Sequence, residues 1–201
     1  MSILLGKILI KKKYYSKALF VFEKILKDRP NDLRANFQMG KIFYELNDLN
    51  KSLKFFEKCN EIQPNTPNIL FNLALSFQNK GKIKEAKKEY LKLISINPKD
   101  IKSYYGLSSL NINNITSKIY EDLKKFNNDE TTSIFEKSII NFIFSKVEEN
   151  KNNFKNEIKY LELSHKQSYE SNLSINEQSD FYYKNIISNY FDKIEFKGDL
   201  N

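Results

Sequence analysis

The fold class predicted for this chain is all-α, a right-handed superhelical solenoid of antiparallel helix hairpins, and three observations predict it. Pro30, Pro64 and Pro98 stand 34 residues apart. The residues around them repeat in step, column by column. Five Gly and four Pro in 201 residues are too few for the many turns of an all-β fold, while 40% hydrophobic and 14% aromatic residues suffice for a continuous core. A fixed period of 34 belongs to a helical-hairpin repeat, in which no unit buries its apolar face alone and neighbours must stack.

Aligned on the three prolines, each segment offers Leu4, Gln38 and Asn72 in one column, then Leu5, Met39 and Leu73, then Gly6, Gly40 and Ala74. Leu9, Phe43 and Phe77 follow, then Tyr15, Leu49 and Ile83. A second small column holds Ala18, Ser52 and Ala86; an aromatic one holds Phe22, Phe56 and Tyr90; an apolar one holds Ile25, Cys59 and Leu93. Small residues in two columns let the helices of a hairpin approach closely, and the aromatic column fills the gap between successive hairpins. Asp32, Thr66 and Asp100 keep the same period and are good N-cap residues, with Pro67 suited to a first helical position. These signals predict helices over 2–12, 15–28, 33–46, 49–62, 67–80 and 83–96, with Gly81 ending the fifth.

Over residues 1–98 these columns resemble the tetratricopeptide repeat (TPR), whose pattern sets a large apolar residue, Leu-Gly, Tyr, then Ala, Phe, Ala and Pro at fixed offsets. The resemblance implies three regular hairpins at 1–98 and a protein-binding role. Residues 99–195 read as degenerate TPR-like hairpins and 196–201 as a polar tail. Asp100 to Leu110 is a further first helix, with Tyr104 and Leu107 in column and Ser108 in place of the small glycine. Ile115, Ile119, Leu123 and Phe126 make an apolar stripe at helical spacing. Phe135, Ile139, Phe142, Ile143 and Val147 define a long helix ending at Asn150; Phe154, Ile158, Leu161 and His165 define its partner. A last helix is expected over about 176–194, before Gly198.

The helix order from Tyr104-Tyr105-Gly106-Leu107 through Ile119-Tyr120-Glu121-Asp122-Leu123 to Phe142-Ile143-Phe144-Ser145-Lys146 is also similar to the linker region of bacterial TPR sulfotransferases. That resemblance implies an alternative function: the non-catalytic N-terminal region of an enzyme using the donor PAPS (3′-phosphoadenosine 5′-phosphosulfate), presenting the acceptor to a downstream domain. The donor loop of such a domain, of the form Gly-x-Pro-Arg-Ser-Gly, does not occur, and no proline lies beyond Pro98.

Residues 1–100 carry 20 basic and 10 acidic side chains, net +10, and residues 101–201 carry 13 and 15, net −2. Thirty-one of the 33 basic residues are Lys. Nucleic-acid recognition leans on Arg and on aromatics free to stack, and here the aromatics occupy core columns, so no nucleic-acid partner is expected. No run of about 18 apolar residues occurs, so no membrane partner is expected either. A single cysteine, Cys59, excludes an internal disulfide and fits a cytoplasmic location.

Catalytic chemistry finds no constellation: the expectation is no enzyme activity, no cofactor and no metal. Cys59 stands in a core column, and His165 is read as partly buried packing. Glu148 and Glu149 are adjacent on a helix and point in different directions. One His and one Cys cannot furnish a zinc site without two carboxylates at matching spacing. What remains is the inner face of the first helices. Off the packing columns lie Arg34, Phe37, Gln38, Lys41, Asn68, Phe71, Asn72, Gln78, Lys102 and Tyr105. The expected peptide-binding groove comprises Arg34, Gln38, Lys41, Asn68, Asn72, Lys102 and Tyr105. The expected function is a scaffold binding an extended, acidic peptide or protein partner. Gln38 and Asn72, one period apart, can each donate to and accept from a peptide backbone.

Overall fold

The structure is a computed structural model that describes residues 2–172. Among the described residues the regular structure is helical: α1 (Ile3–Lys11), α2 (Tyr15–Asp28), α3 (Leu33–Glu45), α4 (Leu49–Ile62), α5 (Pro67–Asn79), α6 (Ile83–Ile96), α7 (Ile101–Leu110), a 3-10 turn (Ile112–Asn114), α8 (Ser117–Asn128), α9 (Ile134–Asn150) and α10 (Phe154–Ser171). The helix expected over 176–194 and the tail at 196–201 lie outside the described residues. Two compact units result, the first running to Ile115 and the second starting at Thr116. The first unit thus extends past the third proline to include α7, which packs on α6 and α5 as a fourth first helix.

One backbone device makes the turn inside each regular hairpin. Lys13, Asn47 and Gly81, one period apart, adopt left-handed φ of 60°, 58° and 76°. The amides of Tyr14, Asp48 and Lys82 donate to the carbonyls of Leu9, Phe43 and Phe77 at 2.9, 2.8 and 2.9 Å, satisfying carbonyls that a helix end leaves open. The α9–α10 turn uses the same device, with Asn152 at φ 57° and the Asn153 amide on the Glu148 carbonyl at 3.0 Å. Only one of the four positions is glycine, which is why the sequence alone flags only Gly81.

Helix starts are less uniform. The Asp32 carboxylate accepts from the Ala35 amide at 3.0 Å, as its place in the repeat predicts. Thr66 and Asp100 occupy the equivalent position without capping by side chain. The Thr66 hydroxyl turns back to donate to the Gln63 carbonyl at 3.2 Å, and the Asp100 carboxylate accepts from the Ser103 hydroxyl at 2.5 Å. Pro67 sits in the first turn of α5, where a missing N–H costs nothing. The loops between hairpins are pinned from one column: Asn36 donates to the Pro30 carbonyl at 3.0 Å, and the Tyr104 hydroxyl to the Pro98 carbonyl at 3.0 Å.

The core of the first unit follows the columns. Ala18, Phe22, Phe56, Cys59, Ala74, Ala86, Tyr90 and Leu93 are all buried. A Cβ added at Gly6 would lie 2.3 Å from Phe22 Cζ, and one at Gly40 would lie 2.8 Å from Phe56 Cε1, so each glycine admits the aromatic ring of its own hairpin. Each first helix touches the next, α1 with α3, α3 with α5 and α5 with α7, whereas the second helices are set further apart. Closer spacing in the first-helix layer curves the stack so that this layer is on its inner side.

In the second unit α8 and α10 both pack on α9. Leu123, Ile140, Ile143 and Phe144 are buried, and the Phe144 ring lies between Tyr120 at 4.6 Å and Tyr160 at 5.3 Å, centroid to centroid. Buried Asn141 donates to Gln167 Oε1 at 2.8 Å and accepts from Asn127 Nδ2 at 3.4 Å, a polar bridge across all three helices. His165 departs from its expected place: it is exposed. The face of α10 turned to α9 runs through Tyr160, Ser164 and Gln167, which leaves Ile158 and His165 turned away from it and exposed.

Candidate functional site

The seven residues expected to line a groove stand on three consecutive first helices. Arg34, Gln38 and Lys41 stand on α3, Asn68 and Asn72 on α5, Lys102 and Tyr105 on α7. They resolve into two columns of one period each. Arg34, Asn68 and Lys102 form the first, and all three are exposed. Gln38 and Asn72 form the second and are half-buried, because they lie one turn further along, beside the packing seam. Lys41 and Tyr105 are exposed at the margins.

The amide column ends at α7 for a steric reason. Its fourth position is Gly106, where an added Cβ would stand 2.3 Å from Tyr90 Cζ and 2.8 Å from its hydroxyl oxygen. Tyr90 fills the column that Phe22 and Phe56 fill earlier, and its extra hydroxyl reaches Gln78 Oε1 at 2.8 Å. Gln78 in turn donates to Ser109 Oγ at 3.1 Å. Gln78, which lies off the packing columns, is therefore a strut between α5, α6 and α7. Sequence reasoning missed this because a Phe-to-Tyr change within an aromatic column carries no visible signal about the new hydroxyl's partner.

Two features set the character of the strip. Asn72 Nδ2 donates to the Asn68 carbonyl at 2.7 Å, an i to i−4 bond that fixes the amide's orientation and holds its oxygen away from the helix backbone. Phe37 and Phe71, also one period apart, meet Phe56 and Tyr90 edge to face at 5.5 and 6.2 Å and remain half-buried. With exposed Tyr105 they place an aromatic beside the polar positions on each of α3, α5 and α7. The arrangement offers amides, cations and aromatic edges on a layer locked by Asn79 Nδ2 donating to Tyr44 Oη at 2.7 Å, which ties α5 to α3.

Groups that could do chemistry are otherwise engaged. Cys59 is fully buried, its thiol faces the Leu33 carbonyl at 3.7 Å, and burial pushes its pKa up to about 12, so at neutral pH it is a small core side chain. Glu148 and Glu149 do diverge: Glu149 is exposed and pairs with Lys146 at 2.7 Å. Glu148 is buried and accepts from Lys151 Nζ and Asn153 Nδ2, both at 2.7 Å. The Lys151 bond, larger than the opposing effect of burial, holds its carboxyl below the usual range. Among the described residues no group of three His, Cys, Asp or Glu is placed to hold a metal ion, and no helix is long and apolar enough to cross a membrane.

Residues 11–112, just over half of the chain, match the family described as anaphase-promoting complex, cyclosome, subunit 3. No curated protein sequence matches. Solved structures share the fold at low identity. The crystal structure of MamA superposes with a TM-score of 0.66 at 17% identity, over 85% of this chain and 97% of that one. YrrB, described as a TPR protein with an unusual peptide-binding site, gives 0.62 at 14% identity, over 82% and 84%. PilF of Pseudomonas aeruginosa gives 0.64 at 12% identity, over 82% and 74%.

Proposed function

We propose that this chain, which belongs to the TPR family described as anaphase-promoting complex, cyclosome, subunit 3, is a non-catalytic scaffold that binds an extended acidic peptide along α3, α5 and α7. The fold is that of a protein-interaction scaffold; the strip, the peptide and its charge are the proposal. The single observation that carries it is the pair of outward columns, Arg34/Asn68/Lys102 and Gln38/Asn72, on the inner layer of the stack. Residues on a packing column repeat because packing demands it. These residues do not pack, yet amide answers amide at 38 and 72, and a cation opens and closes the other column.

The chemistry of such a strip is direct. Gln38 offers a donor pair and an acceptor to the peptide backbone, and Asn72, with one N–H on the Asn68 carbonyl, offers one donor and an acceptor, at about 0.5–1.5 kcal/mol net per hydrogen bond. Arg34, Lys41 and Lys102 favour acidic side chains and speed encounter in a salt-sensitive way. A peptide-binding site described for YrrB, which shares the fold, supports the general mode but not these residues.

The test is fluorescence anisotropy with a panel of labelled acidic, neutral and basic peptides. Replacing Gln38 and Asn72 together by Ala is expected to weaken the tightest acidic binder by about 1–3 kcal/mol without altering the circular dichroism. Replacing Lys87 and Lys88, both exposed on the second-layer helix α6, is expected to change only the salt dependence. A more damaging effect from the lysine pair places binding on the outer layer and refutes the strip.

A further inference from the structure

A peptide lying along α3, α5 and α7 meets the same helix face three times. Arg34, Phe37 and Gln38 stand at i, i+3 and i+4 on α3, which puts them on one side of the helix. One period on, Asn68, Phe71 and Asn72 repeat the set on α5, and Lys102 and Tyr105 repeat it on α7 up to Gly106. The aromatic position is the one that never changes in kind. Phe37 and Phe71 are half-buried and held edge to face by Phe56 and Tyr90, and Tyr105 is 46% exposed. Rings already packed on their own hairpin lose little further freedom when a ligand covers them. The cations stand at the two ends of their column, with Asn68 between them.

Spacing decides which peptide conformation can use such a ladder. Successive first helices touch, and Asn79 with Tyr44 and Gln78 with Ser109 hydrogen-bond directly across them. Helices in direct contact lie about 8–10 Å apart, axis to axis. A β-strand presents equivalent side chains about every 6.7 Å, and an α-helix advances about 5.4 Å per turn, so neither keeps step. A polyproline II helix has three residues per turn at about 3.1 Å each, so each of its three ridges returns every ~9.3 Å. It makes no internal hydrogen bonds, which leaves its carbonyls and the N–H groups of its non-proline residues open to Gln38 and Asn72. Given the acidic-peptide strip, on which this rests, we infer that the partner is a polyproline II segment with a three-residue period. Proline occupies the ridge over Phe37, Phe71 and Tyr105, Glu or Asp the ridge beside Arg34 and Lys102, and the third ridge faces solvent. Two turns, about 19 Å, carry the acidic ridge from Arg34 to Lys102, and the turn between them, opposite Asn68, tolerates a neutral side chain. Such a segment is stiff before it binds, so docking orders little that is not already ordered.

The probe is a labelled peptide of repeating Glu-Pro-Ser, titrated by fluorescence anisotropy into the full chain. Its control has the same composition with the Glu and Pro residues moved to alternating shorter and longer spacings, which keeps charge and proline content and breaks the register. The repeating peptide is expected to bind about tenfold tighter than the control. Tyr105→Ala, a change at an exposed position, is expected to remove most of that difference with unchanged circular dichroism. A preference for the repeating peptide that survives both Tyr105→Ala and Phe71→Leu overturns the aromatic ladder. Equal binding of the two peptides overturns the three-residue period; if replacing Gln38 and Asn72 by Ala still weakens both, the acidic-peptide strip stands without it. Saturable binding by no acidic peptide, these two included, overturns the strip and the inference together.

Discussion

Replacing Gly40 tests the close approach on which each hairpin is built. An ideal Cβ at Gly40 falls 2.8, 2.9 and 3.0 Å from Phe56 Cε1, Cδ1 and Cζ, where ordinary contact lies at 3.4–4 Å. The ring would have to retreat by about half an ångström or more. It has little room to do so: Phe56 is fully buried, and the edge of Phe37 meets it at 5.5 Å between centroids. Overpacking of this kind costs about 1–3 kcal/mol. Alanine regains about 1 kcal/mol of helix propensity over glycine, so Gly40→Ala should be destabilising by about 0–2 kcal/mol. Gly40→Leu regains nearly as much but brings four more atoms than a helix crossing can hold, and should lose about 1–3 kcal/mol net. Thermal melts followed by circular dichroism should fall by roughly 2–4 °C per kcal/mol for a chain of this size. The cause is isolated by pairing Gly40→Ala with Phe56→Leu, which frees the ring's volume: the two costs should couple and not add. A Gly40→Leu melt equal to wild type, or strict additivity of the pair, would refute the reasoning.

The turn glycine should behave in the opposite way: nothing lies within 4 Å of an added Cβ at Gly81, so Gly81→Ala should cost about 1–2 kcal/mol through its φ of 76° alone, and Lys13→Gly at the equivalent turn should stabilise by about 0.5–1 kcal/mol in the same melts. For Glu148 the folded carboxyl lies below its unfolded value of about 4.3, so the native state binds fewer protons, and its stabilisation is fully present above that pH and lost as pH falls through the folded pKa. Hydrogen exchange of α9 and α10 against pH should show that acid limb in the wild type and a flatter one in Glu148→Gln; parallel profiles would show the carboxylate contributes nothing. Calorimetric titration of PAPS into the chain should give no binding isotherm, and tight binding would revive the sulfotransferase alternative and turn attention to the lysines of residues 1–100.

Much of the first unit was legible because a repeat reports its own structure. Three prolines at one spacing locate the loops, and a column that stays small or stays aromatic in every copy reveals a contact before any coordinate exists. The observed bounds of α2, α4 and α6 coincide with the predicted ones. The second unit has no second copy against which to compare itself. There, an apolar stripe located the helices of α8, α9 and α10 but set His165 on the wrong face: residues 158, 161 and 165 do share one side of a helix, but the seam with α9 runs through Tyr160, Ser164 and Gln167 on another side.

By itself, then, the amino-acid order determined the helices, the hairpin pairing and the small-to-aromatic contacts, because each rests on interactions local in sequence or repeated at one period. Only the tertiary structure decided which polar residues face outward and which are braces. Gln38 and Gln78 read alike in the sequence. Gln78 is held between Tyr90 and Ser109. The physical reason is reach: a helix is stabilised by residues three or four positions away, but a brace such as Gln78 is defined by partners 12 and 31 residues away on two other helices, and those meet only once the helices have packed.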